Sequence, residues 1–224
     1  MKKHVKPDGQ RGMIYGSSGS GKSVLMASVI RSWKSERCII FDPEDMLSGD
    51  FQDYDLIEGN IEDFRRYLYK KWNGPFKVIY VPHPSGIPEQ LHNFSKVVFQ
   101  MQDHYGDYRK PWAKPLHVAV DELHEGCPKD MPAKLDGYIQ LSKRSRKRGI
   151  HLLGATQRPV DVKASARTQA PITYVIGQFH RLDKKELEAS VNPDAVSEVE
   201  GSPKFHYAIC RGNVEYKLCK PAEV

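Results

Sequence analysis

Three short stretches of this 224-residue chain carry residue types at spacings suited to phosphate chemistry. The first, Gly16-Ser17-Ser18-Gly19-Ser20-Gly21-Lys22-Ser23, fits the pattern G-x-x-x-x-G-K-S/T of a phosphate-cradling loop. Its glycines allow a tight turn that brings backbone N–H groups against phosphate oxygens. A helix starting at its end adds the positive pole of its dipole. In such a loop Lys22 supplies a point charge for the β- and γ-phosphates, and the Ser23 hydroxyl is a Mg²⁺ ligand. Val24 closes the nucleotide-contacting run. A Gly/Ser linker would have the same composition, but apolar runs bound this stretch on both sides: Met13-Ile14-Tyr15 before it and Val24–Ile30 after it.

The second stretch is Leu116–Val120, an apolar run that ends in Asp121-Glu122. This is the form of a Walker B strand. Asp121 at its tip would hold the Mg²⁺ shell through water, and Glu122 would act as the general base on the attacking water. An acid in the Glu122 position distinguishes hydrolases from P-loop kinases, which pass the γ-phosphate to an acceptor other than water. The third stretch, Ile150–Ala155, runs into Thr156-Gln157-Arg158-Pro159. A glutamine at that strand end can hydrogen-bond both a γ-phosphate and the attacking water, so Gln157 could sense which nucleotide is bound. The plainer reading is a turn, with Pro159 ending the strand.

These tips need a scaffold that brings them together. Apolar runs at Met13–Tyr15, Cys38–Phe41, Val78–Val81, Leu116–Val120, His151–Ala155 and Thr173–Gly177 read as buried parallel strands. Helical stripes lie between them: Leu25, Val29 and Trp33; Leu91, Phe94, Val98 and Met101; Leu135, Tyr138, Ile139 and Ser142. Alternating strands and helices predict an α/β fold with a mostly parallel central sheet. Phe205–Cys210, the turn Arg211-Gly212-Asn213, and Val214–Leu218 predict a C-terminal β-hairpin. Asp107–Pro115 reads as a polar, proline-bearing connector, and nothing divides residues 1–224 into two domains.

Composition narrows the class only broadly. No apolar run reaches the length of a bilayer span, and no leader opens the chain, so a cytoplasmic protein is expected. Cys38, Cys127, Cys210 and Cys219 lack zinc-site spacing. The net charge of +6 is weakly suggestive of a polyanionic partner. His117 and His151 sit within apolar strands as packing residues, and His124 has no second histidine at a metal-ligand spacing. Asp42-Pro43 follows a strand as a turn, with Asp42 a candidate to orient the loop or the water.

Together, Gly16–Ser23, Asp121-Glu122 and Ala155-Thr156-Gln157-Arg158-Pro159 resemble the FtsK–HerA superfamily of DNA-pumping ATPases. The resemblance runs from Gly12 to about Gly177 and is most like FtsK over Arg146–Val162. It implies a RecA-like fold, ATP and Mg²⁺ as ligands, a homo-oligomeric ring, usually a hexamer, and double-stranded DNA as substrate. Arg146, three residues before Gly149, falls where FtsK-like sequences carry an arginine. That implies a finger acting in trans on a neighbour's γ-phosphate, with Arg148 or Arg144 as alternates. The same cations also suit an ordinary helix end. Arg158 could face a subunit interface, and Lys129, Lys134, Lys163 and Arg167 could reach a central channel.

The chain lacks the membrane spans and winged helix of bacterial FtsK. It resembles most the genome-packaging ATPases of tailless, double-jelly-roll viruses. This implies a packaging role at a capsid vertex, with capsid proteins as partners and a place in the host cytoplasm or on the virion. The alternatives are a Zot-type phage extrusion ATPase, a P-loop nucleotide kinase, and a nucleotide-gated assembly protein that does not hydrolyse.

Overall fold

The strands are nearly unbroken apolar runs because both faces of the sheet are covered. In a computed structural model that describes residues 9–102 and 114–222, all five residues of β2 (Arg37–Phe41) are buried. Alternation along the strands divides the core in two. Met13, Tyr15, Ile39, Phe41, Val78, Val118 and Leu152 pack on one face, and Ile14, Cys38, Ile40, Ile79, Ala119 and Leu153 on the other.

The other strands are β1 (Arg11–Gly16), β3 (Asp55–Gly59), β4 (Phe76–Pro82), β5 (Leu116–Val120), β6 (Ile150–Thr156), β7 (Ile172–Ile176), β8 (Tyr207–Arg211) and β9 (Glu215–Cys219). They form one sheet in the order β3-β4-β2-β5-β6-β1-β7-β8-β9. The first seven strands in chain order are parallel, and β8 and β9 add to β7 as an antiparallel hairpin. The predicted mostly parallel α/β sheet with a terminal hairpin is therefore observed. Phe205, expected to open the hairpin, instead lies before it at φ 69°.

The helix α1 (Lys22–Ser32) covers one face, burying Leu25, Met26, Ala27 and Ile30. Val29 and Trp33 of the expected stripe are only partly buried. The other face carries α2 (Ile61–Lys71), α3 (Ile87–Met101), the short α4 (Leu123–Gly126), α5 (Gly137–Arg144), α6 (Ala164–Arg167), α7 (Arg181–Ser190) and α8 (Pro193–Gly201). Asn60 and Asn192 cap α2 and α8 with their side-chain oxygens. Most of the Asp107–Pro115 connector lies outside the described residues. No helix among the described residues is long and apolar enough to cross a membrane.

Candidate functional site

The sheet order decides which motifs meet. β6 lies between β1 and β5, so the tips of three adjacent parallel strands carry Gly16, Thr156-Gln157 and Asp121-Glu122. The loop after β1 turns with Gly19 at φ 69° and Gly21 at φ 92°, then enters α1 at Lys22. A Cβ at Gly16 would stand 2.8 Å from the Lys22 Cβ, so the close fold of this loop requires glycine there. The cradle residues Gly16 and Ser20 are buried, Ser17, Gly21 and Ser23 are half-buried, and Ser18, Gly19 and Val24 are exposed.

Lys22 reaches back over the strand tips. Its ammonium lies 2.5 Å from Asp121 Oδ1 and 2.8 Å from Glu122 Oε1. Neighbouring residues of an extended strand point to opposite faces. Asp121 and Glu122 escape that rule because Glu122 takes a left-handed backbone, φ 41°. Its N–H then bonds Asp121 Oδ1 at 2.8 Å, and both carboxylates face Lys22. A left-handed non-glycine residue is unfavourable unless its surroundings enforce it, and such residues gather at functional sites.

Gln157 joins the cluster across the sheet, donating from Nε2 to Glu122 Oε1 at 2.6 Å. A fifth group, set aside in the sequence as a metal ligand, joins it: His124 Nδ1 lies 3.2 Å from Glu122 Oε2 and 3.2 Å from Thr156 Oγ1. His124 thus joins the acid tip to the sensor strand. As a lone histidine in a short helix it carries no spacing signal. Its role depends on the β5–β6 contact.

The cluster is electrostatically self-consistent. Burial would lower the Lys22 ammonium, but Asp121 and Glu122 outweigh it and raise its pKa. Burial pushes Glu122 up, while the hydrogen bond to His124 and the charge of Lys22 more than offset this, bringing it down to about 2. The carboxylate is therefore ionised at neutral pH and 2% exposed. Asp42, also buried, accepts the Leu47 N–H at 2.7 Å. Burial pushes its pKa up to about 6, with the charge of Asp121 adding to the rise.

A triphosphate fits this chemistry: a glycine cradle at a helix N-terminus, one lysine and one ionised acid beyond it. No cluster of three or more metal-ligating side chains exists among the described residues. Mg²⁺ is commonly held by one or two protein groups plus phosphates and water. Ser23 and Asp121 would hold it here, and the ion would supply charge neutralisation on the phosphate oxygens.

The basic run is placed elsewhere. Arg144, Arg146 and Arg148 precede β6 and so lie at the N-terminal rim of the sheet, opposite the strand tips. Arg144 and Arg146 are exposed, while Arg148 is half-buried over the Phe99 ring at 4.0 Å. Arg158 pairs with Asp161 at 3.0 Å and with Asp183 at 3.5 Å. Arg167, a candidate for a channel, is 8% exposed and pairs with the half-buried Glu186 at 2.5 Å. Lys163 donates to the Met131 carbonyl at 2.7 Å. Lys129 and Lys134 are exposed.

No protein-family model matches the chain, and no curated protein matches it in sequence. Solved structures do match in fold. The genome packaging NTPase B204 from Sulfolobus turreted icosahedral virus 2, in complex with ATP-gammaS, superposes at a TM-score of 0.69 and 17% identity, over 98% of this chain and 100% of that one. B204, the DNA-packaging ATPase from Sulfolobus turreted icosahedral virus, gives 0.69 and 18% over the same shares. VirB4 of Thermoanaerobacter pseudethanolicus gives 0.67 and 12%, over 96% of this chain and 90% of that one. At such identities the likeness establishes the fold, and it extends beyond the three motifs to α7, α8 and the hairpin. The strand order and these superpositions together give the chain the mostly parallel α/β fold of a RecA-type P-loop NTPase.

Proposed function

We propose that this protein hydrolyses ATP to drive double-stranded DNA, and that its task is to move a viral genome into a preformed capsid. The convergence of Lys22, Asp121, Glu122 and Gln157 carries the hydrolytic part of this reading. Lys22 and the loop N–H groups bind the β- and γ-phosphates; Ser23 and Asp121 hold Mg²⁺. Glu122, ionised and held by Gln157 and His124, takes the proton of the attacking water. Gln157 touches the same carboxylate and would also meet the γ-phosphate, so hydrolysis is registered on β6.

The finger role belongs to a neighbouring copy. β6 separates Arg146 from the strand tips by seven residues, roughly 20 Å of strand at about 3.3 Å each, so Arg146 does not serve its own site. In a homo-oligomeric ring, taken as a hexamer, it meets the adjacent subunit's γ-phosphate. The DNA and capsid steps rest on the motifs and on the fold shared with the packaging ATPases, and capsid vertex proteins are the partners they imply. The site of action is then the host cytoplasm or the virion vertex.

The deciding measurement is phosphate release from Mg·ATP with and without duplex DNA, at protein concentrations high enough to assemble. Stimulation by DNA supports the translocase. ATP hydrolysis unaffected by DNA refutes it, and γ-phosphate transfer to a small acceptor in place of hydrolysis identifies a kinase.

A further inference from the structure

A groove of about 490 Å³ runs between α3 and α5, on the face of the sheet away from α1. The helices are in direct contact there, since a Cβ at Gly137 would stand 2.4 Å from the His92 carbonyl oxygen. Phe99 gives the groove an apolar wall. Ser95 also lines it; this residue is fully buried and its hydroxyl has no hydrogen-bond partner. Three exposed cations, Lys96, Lys134 and Arg144, stand around it. Among the described residues none of the three pairs with an acid. The acid in the lining, Asp136, is engaged by Gln140 Nε2 at 2.7 Å. The groove is therefore an apolar slot with a positive border.

The complementary shape and charge occur elsewhere on the same chain. The loop after β2 is tied at its base: buried Asp42 accepts the Leu47 N–H at 2.7 Å, and its carbonyl accepts the Asp45 N–H at 3.4 Å. Asp45 takes a left-handed backbone, φ 52°, which turns the chain outward. What projects is an apolar knob with a negative shoulder. Met46 is 59% exposed, and Glu44 and Asp45 before it are exposed as well. A thioether side chain adapts well to an irregular slot. Burial, then the charges of Glu122, Glu125 and Asp121, raise the Glu44 pKa, which places the knob beside the acid tips.

We propose that Glu44, Asp45 and Met46 of one copy seat in the α3–α5 groove of the next, with Met46 against Phe99 and the two carboxylates among Lys96, Lys134 and Arg144. This rests on the homo-oligomer reading above and names the surfaces that make it. The contact is head-to-tail, using different surfaces on its two sides, and contacts of that kind close into rings. It also carries the arginine run. Arg144 lies on the groove two residues before Arg146, and the knob lies beside Glu122, so this docking brings Arg146 toward the neighbour's site. Duplex DNA would meet the cations but would leave Phe99 and Met46 without a partner.

The test is sedimentation velocity on the full chain over a range of concentrations, with and without Mg·ATP. Wild type is expected to assemble. Glu44→Lys with Asp45→Asn, a change that asparagine's tolerance of left-handed backbone permits, should weaken association about tenfold, and Lys96→Glu with Lys134→Glu should do the same. All four substitutions in one chain should regain most of the loss, because the charges then match again. Met46→Asp should weaken assembly and Met46→Leu should not. Wild-type assembly in both charge variants, or weakened assembly that the fourfold variant does not recover, overturns this contact and leaves the oligomer standing. Groove variants that assemble normally but lose affinity for duplex DNA assign the groove to DNA instead. A wild-type chain that stays monomeric under every condition overturns the oligomer reading and this contact with it.

Discussion

At the scale of single residues, the site is a knot of charge in which Lys22 has two tasks. It is placed for phosphates, and it neutralises two carboxylates that are 2% exposed. Removing one partner of a buried charge cluster leaves the others uncompensated. Lys22→Ala should therefore cost stability as well as activity, about 3 kcal/mol in urea unfolding. Adding Glu122→Gln should restore part of that loss by removing one stranded charge. An unchanged unfolding midpoint in Lys22→Ala would contradict the neutralising task. Glu122→Gln alone should keep ATP binding and lower the hydrolysis rate by about 10²–10⁴-fold, the range of a lost general base. A rate near wild type would remove Glu122 from that role. Gly16–Ser23, Asp121-Glu122 and Thr156-Gln157 were legible because each is contiguous in sequence. The role of His124 was not, since it lies in a tertiary contact with Thr156, 32 positions away.

At the scale of elements, β5 and β6 are joined on one face by an aromatic stack. His117 and His151 are register partners, their rings 4.4 Å apart and 8° from parallel, and Trp33 lies 4.9 Å from His117. Burial lowers the His117 imidazole to about 4, with the charge of His151 contributing, and burial also lowers His151. Both rings are neutral packing groups, as their apolar strands suggested. A histidine with a lowered folded pKa binds protons more readily when unfolded. Its contribution to stability is present above about pH 6.5 and is lost as the pH falls toward 4. His117→Phe keeps the ring and removes the proton site. The difference in unfolding free energy between variant and wild type should grow as the pH falls from 7 to 4.5. A pH-independent difference would show that the stack carries no such linkage.

The same scale shows what the sequence concealed. The fully buried strands were readable as apolar runs, but β3, with only Leu56 and Ile57 apolar, was not. It lies at the sheet edge, where burial does not enforce a pattern. α2 buries only Phe64 and Leu68, too few positions to stand out from a polar segment.

At the scale of the whole molecule, the two halves of the expected inter-subunit site sit on opposite rims: phosphate loop and acids at one, Arg146 at the other. That arrangement makes a mixing experiment decisive. Arg146→Ala subunits and Lys22→Ala subunits, each inactive, should regain measurable hydrolysis when combined, because an intact loop can then meet an intact arginine. No recovery at any ratio would exclude the arginine from a trans role. The order of strands was not readable from the sequence, since adjacency depends on how crossovers pack rather than on any single run. The two outermost strands limit how copies can join. β3 bears Asp55 and Glu58, and β9 bears Glu215 and Lys217, charges of the kind that discourage hydrogen-bonded pairing between exposed borders. A closed circle of these molecules must therefore be sealed by helices and loops. In the proposed ring each protomer's backbone ladder would stop at its own margin, leaving neighbours free to slide and tilt against one another.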